Sequence, residues 1–336
     1  MTLAVSTMAA IPPVPKTDVK GSTSKMVEPK APTAASTAVV APALVDAPRA
    51  ELDQLKSRLM NKAKVAQAHK ATLIFDLPVT YNRRVAHWLQ YYQTNGKGWF
   101  RDWLERSSKF MPFIQKELRN AGLPADLGYM VMIESGFDPF ARSHANAVGP
   151  WQFIKPTAER YGLKVNWWID ERRDFKKSTL TAIKYIKDLY QEFGSWYLVA
   201  ASYNMGETGL RRRIQKYNTK DFWSLSASGA LPQETIDYVP KILAAMIIAK
   251  APSLYGFLNI SRMDAFEYDI AYLGGGTDLN QLADHLGVTR KSLRDLNAEL
   301  ILGYIPLQVE KHAVRIPNGA QQKVLEFVQG PKSAKN

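Results

Sequence analysis

The 336-residue sequence contains no cysteine. Disulfide bonds, thiolate nucleophiles, cysteine metal sites and lipidation on cysteine are therefore excluded. There is also no run of 18 apolar residues, so the sequence predicts no membrane-spanning helix. Residues 3–11 are mildly apolar but lack a positively charged start, which makes them a poor signal peptide. These absences leave the location of the protein to be inferred from its function.

The motifs of several common enzyme classes are missing as well. The chain has no HExxH zinc motif, no GxSxG nucleophile elbow, no kinase signature and no P-loop. Its five histidines are scattered and show no metal-ligand spacing. The triple glycine at 274–276 lacks the Lys-Ser/Thr pair of a phosphate-binding loop and predicts a turn. We therefore expect no metal and no cofactor.

Basic residues outnumber acidic ones and give a formal net charge of +13. The excess lies in residues 51–258, which hold 30 basic and 19 acidic side chains. A basic surface favours a polyanionic partner, which is nucleic acid, a membrane surface or an anionic cell wall. Charge does not choose among these partners, but no nucleic-acid-binding motif accompanies it. We therefore expect no nucleic-acid partner.

Composition and periodicity divide the chain into four segments. Residues 1–50 are rich in Ala, Pro, Thr and Ser and predict a disordered linker. Residues 51–120 carry apolar side chains at helical spacing and predict a helical extension. Residues 121–258 contain further helical patterns without strand alternation, whereas residues 259–330 predict a small β-α-α-β unit. The predicted fold class is mainly α, with a small α+β unit at the C-terminus.

The C-terminal unit, residues 259–330, is predicted from two β-rich runs that flank two short helices. The first strand is predicted at 266–272, where FEYDIAY alternates, and the second at 312–318, HAVRIPN. The helical patterns between them meet at a Gly-Val turn and end in a Leu-Asn pair at 296–297. This order predicts one compact β-α-α-β unit.

Glu134 is the carboxylate that stands out as a candidate for chemistry. A helix predicted at 124–135 places it near its C-terminal end, on the same face as Leu127, Met130 and Val131. Ionising a carboxyl group among apolar side chains costs desolvation energy, which raises its pKa and keeps a proton available. Such a group is a candidate general acid for a glycosidic oxygen. A glutamate at a helix end is also commonly solvated or salt-bridged, so Glu134 alone does not decide the function.

The order of four motifs adds to the case for Glu134. They are ES at 134–135, GPWQF at 149–153, ASYNMG at 201–206 and ETIDYVPKIL at 234–243. In this order the sequence resembles family 1 lytic transglycosylases, which have a goose-lysozyme-like catalytic fold. It looks most like the membrane-bound lytic transglycosylase D subgroup. The resemblance extends from about residue 75 to 257 and implies a lysozyme-like catalytic domain at 121–258.

The resemblance implies a role for eight residues. Glu134 matches the catalytic acid/base of the family. The residues implied to bind glycan or shape the cleft are Ser135, Trp151, Gln152, Phe153, Tyr203, Asn204 and Tyr238. Core packing is an equal interpretation for Trp151, Phe153 and Tyr203. Pro150 and Met205 depart from the usual pattern of the family, which leaves the fine substrate preference open.

The implied reaction cleaves the β-1,4 bond between N-acetylmuramic acid (MurNAc) and N-acetylglucosamine (GlcNAc) in peptidoglycan and forms a 1,6-anhydro-MurNAc end. A hydrolytic muramidase on the same fold and a non-catalytic cell-wall-binding protein remain alternatives. Residues 259–330 resemble a divergent LysM-type glycan-binding domain, with a packing domain without sugar affinity as the alternative. The substrate implies a location in the periplasm or cell envelope. We also expect a monomer, and a membrane tether is left open.

Overall fold

The computed structural model describes residues 74–330 of the chain. The linker predicted at 1–50 and the helical pattern at 51–70 lie outside these residues. The predicted class is confirmed, because helices dominate the described part. The N-terminal helices are α1 Arg83–Gln93, α2 Lys97–Asn120, α3 Tyr129–Ser135, α4 Lys155–Arg160, α5 Phe175–Phe193, α6 Trp196–Met205, α7 Glu207–Tyr217, α8 Phe222–Ala227 and α9 Gln233–Lys250. The C-terminal elements are β1 Asp269–Leu273, α10 Leu279–Leu286, α11 Arg290–Leu296, β2 His312–Ile316 and α12 Gln321–Gln329. Short 3-10 turns lie at Ala125–Gly128, Glu171–Arg173 and Pro252–Tyr255.

Helix α1 begins where the sequence predicts a helix. The side chain of Asn82 caps its N-terminus by accepting hydrogen bonds from the backbone N–H groups of residues 84 and 85. Val85, Leu89 and Tyr92 form its buried face, as their spacing predicts. None of the helices described between residues 74 and 330 has the length and apolar character needed to cross a membrane.

Helix α9 lies at the centre of the larger core. Its residues from Thr235 to Ile248 are buried almost all round, which marks a helix enclosed by others rather than a surface helix. It packs against α1, α3 and α6. The short α3 is itself buried along its whole length. The central packing therefore brings the end of α3 against the first half of α9.

The segment predicted as one helix at 124–135 is divided in two. A 3-10 turn, Ala125–Gly128, precedes α3 because Pro124 holds an extended backbone before it. The helix ends as predicted at Gly136, which takes the left-handed conformation with φ 56°. A β-carbon at Gly136 would lie 2.1 Å from the Trp103 indole nitrogen, so only glycine fits this stop.

The C-terminal unit contains an antiparallel pair of strands with Ala271 opposite Val314. The first strand begins three residues later than predicted, because Phe266 packs in the larger core, where its ring lies 5.2 Å from that of Phe110. Helix α12 follows the second strand, and the sequence did not predict it. Val324 of α12 joins a second, separate apolar cluster formed by β1, α10, α11 and β2.

Candidate active site

Glu134 lies in the last turn of α3 and is 3% exposed. Its Oε1 accepts a hydrogen bond from the Tyr238 hydroxyl at 2.5 Å. Burial raises the pKa of Glu134 to about 8, the hydrogen bond from Tyr238 opposes that rise, Glu234 adds to it and Lys241 opposes it. The carboxyl group is therefore protonated at neutral pH, which suits a proton donor.

Three polar side chains of α9 share the face that meets Glu134. Glu234, Tyr238 and Lys241 are spaced i, i+4 and i+7, so they lie above one another on one side of the helix. Tyr238 is buried, and the Lys241 ammonium lies 4.4 Å from the centre of the Trp88 ring. Helix α9 thus supplies both the hydrogen-bond donor to the carboxyl group and the two charges that act on its pKa.

Ser135 holds the end of α3 to the loop that follows, residues 136–153, here called the cleft loop. Its hydroxyl donates to the carbonyl of Pro150 at 2.8 Å and lies 3.3 Å from the carbonyl of Val131. This contact ties the end of α3 to the cleft loop, and the role of Ser135 in binding glycan or shaping the cleft stays a prediction. It makes no hydrogen bond with the Glu134 carboxyl group among the described residues.

Gln152 adopts a strained backbone conformation in the cleft loop, with φ 48° for a non-glycine residue. Its side-chain nitrogen donates to the carbonyls of Gly149 at 2.8 Å and Ala141 at 3.1 Å. Its Oε1 is buried and makes no hydrogen bond with the described residues. A buried acceptor in a strained loop is an arrangement that a ligand donor would complete.

Trp151 is fully buried, at 0% exposure, and its indole N–H donates to the Thr179 hydroxyl at 2.9 Å. Its packing role therefore accounts for the whole side chain, and its indole is not placed on a cleft surface. Tyr203 is half-buried, and its hydroxyl donates to the carbonyl of Trp151 at 2.7 Å. Phe153 is buried, with its ring 6.1 Å from that of Tyr203.

A groove brings together four of the predicted site residues, Gln152, Phe153, Tyr203 and Asn204. Its other walls are Ile154, Thr157, Tyr185, Met205, Gly206 and Glu207. Tyr203 is also close enough to Glu134 for the carboxyl charge to help raise the pKa of its hydroxyl, after burial as the larger cause. Tyr203 therefore lines the groove and lies within electrostatic range of the buried acid.

Residues 111–226 match the family model of the transglycosylase SLT domain. This part of the chain is similar to the transglycosylase SLT domain. Over 222 residues it is 34% identical to the membrane-bound lytic murein transglycosylase D of Escherichia coli strain K12, across 65% of this chain and 48% of the relative. The chain thus spans about half the length of this relative. It is also 29% identical over 109 residues to the membrane-bound lytic murein transglycosylase F of Desulfosudis oleivorans, across 30% of this chain and 23% of the relative.

A solved structure of an inactive mutant of lytic transglycosylase Slt from Pseudomonas aeruginosa aligns at a TM-score of 0.35 and 19% identity, over 45% of this chain and 26% of that one. Within this chain, the matched SLT range contains every predicted site residue except Tyr238. Tyr238 enters the site from α9, outside that range. The geometry around Glu134 therefore depends on a helix that lies outside the matched range.

Three residues of the site were missed from the sequence: Glu234, Lys241 and Glu207. The spacing of Glu234 and Lys241 about Tyr238 is the signal that would have found the first two. Glu207 lies in the groove, where it accepts hydrogen bonds from Tyr185 at 2.9 Å and from an Arg160 nitrogen at 3.1 Å. No periodic pattern or motif in the sequence after Tyr203 and Asn204 indicated that Glu207 lies in the site.

Asn204 connects the groove to α9. Its side-chain oxygen accepts a hydrogen bond from the Thr235 hydroxyl at 2.7 Å, and its side-chain nitrogen lies 3.5 Å from a Glu234 oxygen. These contacts hold the end of α6 against the helix that carries Tyr238. Across residues 74–330, no group of three or more His, Cys, Asp or Glu side chains is arranged to hold a metal ion.

Proposed function

We propose that this protein is a lytic transglycosylase. It cleaves the β-1,4 bond between MurNAc and GlcNAc in peptidoglycan and leaves a 1,6-anhydro-MurNAc end. The observation that carries the proposal is Glu134, a buried carboxyl group with its pKa raised to about 8 within an SLT domain. The Tyr238 hydroxyl holds the carboxyl group in place for proton transfer.

The proposed reaction proceeds in two proton transfers. Protonated Glu134 gives its proton to the oxygen that links MurNAc to GlcNAc, and the bond from that oxygen to the MurNAc C1 breaks. The acetamido carbonyl of the same sugar stabilises the positive charge that develops at C1. The Glu134 carboxylate then takes the proton of the MurNAc C6 hydroxyl, whose oxygen bonds to C1.

A single carboxyl group is enough for this reaction. Most glycosidases need two, one as acid and one as base or nucleophile. Here the second nucleophile is the C6 hydroxyl of the substrate, so Glu134 serves first as acid and then as base. The hydrogen bond from Tyr238 and the charge of Lys241 both favour the ionised form, which is the form that the second step requires.

The remaining predicted site residues divide between contact and support. We assign Gln152, Tyr203 and Asn204 to glycan contact, because they line the groove beside the acid. The unpaired Oε1 of Gln152 is an acceptor for a sugar hydroxyl or amide N–H. The supporting residues are Ser135, Trp151, Phe153 and Tyr238, which shape the cleft and hold the acid.

The test is digestion of purified peptidoglycan sacculi by the wild-type chain, the Glu134→Gln variant and a control, Glu310→Gln. Glu310 is an exposed carboxylate far along the chain in the C-terminal unit. Mass spectrometry should find anhydro-muramyl products from the wild type and the control and none from Glu134→Gln. Reducing ends instead of anhydro ends would identify a muramidase, and no product from any chain would leave a wall-binding protein.

We also propose that residues 259–330 form a LysM-like domain that binds glycan, and that the protein acts as a monomer in the cell envelope. Tyr272 and Leu307, at 63% and 84% exposure, offer exposed apolar surface on this unit, and the Tyr272 ring can stack on a sugar face. Co-sedimentation with sacculi tests the binding in a Glu134→Gln background, which leaves the glycan intact. Alanine at Tyr272 and Leu307 should weaken it, and unchanged sedimentation would favour a packing domain.

A further inference from the structure

The C-terminal unit meets the SLT domain through three buried charged side chains. Arg315 of β2 donates to a Glu299 oxygen at 2.9 Å and to the carboxylate of Asp174, which caps the N-terminus of α5. All three residues are buried. Asn297, the end of the Leu-Asn pair, holds the Arg315 backbone through two hydrogen bonds of 2.8 Å. Arg315 is thus fixed from its own unit and reaches across to the SLT domain.

Backbone hydrogen bonds join the same two parts of the chain. The segment at 164–174, here called the docking segment, lies between α4 and α5. Its Asp170 N–H donates to the carbonyl of Glu299 at 2.8 Å, and its Trp168 carbonyl accepts from the Ile301 N–H at 3.0 Å. The C-terminal unit therefore holds the docking segment by backbone pairing, beside the contacts of Arg315.

The docking segment in turn holds the cleft loop through one guanidinium group. Arg172 forms a two-point ion pair with Asp170, at 2.9 and 2.7 Å, and its remaining nitrogen donates to the carbonyls of Asn146 at 3.0 Å and Phe153 at 3.1 Å. Gly149 lies against the same residue, since a β-carbon there would be 1.9 Å from the Arg172 carbonyl oxygen. The loop is packed directly on this support.

Buried ion pairs of this kind are a poor source of net stability, because desolvation offsets their attraction. A guanidinium that binds two carboxylates does, however, fix their relative orientation. The arrangement of Arg315 and Arg172 therefore suits a role in setting geometry. The geometry that it sets is that of the cleft loop, which carries Gln152 and whose Pro150 carbonyl is bound by Ser135, next to Glu134.

We propose that the C-terminal unit positions the cleft loop of the active site, with Arg315 as the positioning residue that acts through the docking segment. This inference rests on the proposed lytic transglycosylase function. It assigns residues 259–330 a part in the reaction that is separate from any glycan binding of their own.

The test compares full-length Arg315→Met with a matched control, Arg290→Met. Arg290 lies on the same unit, where its ion pair with Asp284 is exposed and does not reach the SLT domain. Hydrogen exchange of backbone amides reports on the loop independently of activity. In Arg315→Met we expect exchange at the cleft-loop amides to rise at least about tenfold while α9 stays protected. We expect kcat to fall by about tenfold or more, since small misplacements of site residues are costly.

Two results would overturn the inference. One is a folded Arg315→Met protein whose loop exchange and kcat match those of the control. The other is an equal loss of protection in α9 and the loop, which would make Arg315 a residue for global stability. If Arg315→Met does not fold, Arg315→Lys takes its place. Lysine keeps the positive charge but lacks the planar guanidinium that binds two carboxylates, and cleft-loop exchange and kcat are measured in the same way. A wild type without activity would refute the proposed function, whereas loop exchange still tests the positioning.

Discussion

Replacement of Glu134 by glutamine should abolish glycan cleavage and also stabilise the fold at neutral and alkaline pH. Glutamine has nearly the same shape, and its side-chain oxygen can still accept the hydrogen bond from Tyr238. What it removes is the titration of a buried carboxyl group. The raised pKa of Glu134 means that the folded protein resists ionisation that the unfolded chain accepts freely.

The sign and size of the change in stability follow from the pKa values of Glu134 in the unfolded and folded protein. In the unfolded chain the carboxyl group titrates near its ordinary value of 4.5, and in the folded protein at about 8. Between these values each pH unit lowers the free energy of unfolding of the wild type by about 1.4 kcal/mol. At pH 7 the glutamine variant should therefore gain up to about 3 kcal/mol. The glutamine NH2 group must also be buried, so this figure is a ceiling.

Urea unfolding of both proteins at about pH 5, 7 and 8.5 measures the difference. The gain in the free energy of unfolding from Glu134→Gln should be small at about pH 5, grow as the pH rises and level off above about pH 8. The control is Glu310→Gln, which replaces an exposed carboxylate of the C-terminal unit. A difference that does not change with pH would show that the folded protein does not hold Glu134 as a buried protonated acid.

Further predictions concern the same site and its support. The cleavage rate of the wild type should fall as pH rises past about 8, because Glu134 loses the proton that it must donate, and a rate that is flat to higher pH would contradict this. Tyr238→Phe removes a hydrogen bond that lowers the pKa of Glu134, so the alkaline limb of the pH-rate profile should move to higher pH. The same change should lower kcat about 10- to 100-fold. Gly149→Ala should lower stability in thermal unfolding by at least about 2 kcal/mol, since φ is 85° and its β-carbon would meet the Arg172 carbonyl; a neutral effect would mean that the loop can shift. Trp151→Phe should cost about 1 to 3 kcal/mol in the same assay with KM unchanged, and a raised KM would instead indicate glycan contact.

Local patterns were enough to predict much of the helical architecture. The buried face of α1, the stop at Gly136 and the absence of strands among the described residues before β1 follow from spacing and from turn chemistry, which act over a few residues. The order of motifs singled out Glu134 and Tyr238 as candidate site residues, through a resemblance rather than through physics. The late start of β1 was not predictable in this way, because Phe266 is drawn into an aromatic cluster formed by distant helices.

The sequence by itself therefore determined most of the helical pattern before β1, the stop at Gly136 and the candidate acid. Only the tertiary structure decided that Trp151 is packed in the core, that Glu234 and Lys241 flank the carboxyl group, and that Arg315 joins the two parts of the chain. The reason is that Glu134 and its hydrogen-bond donor, Tyr238, lie 104 residues apart in the chain. The pKa of Glu134 is raised mainly by burial, which arises only when the helices pack. Periodicity shows which face of a helix is apolar, but only the packed structure shows which other helix that face contacts.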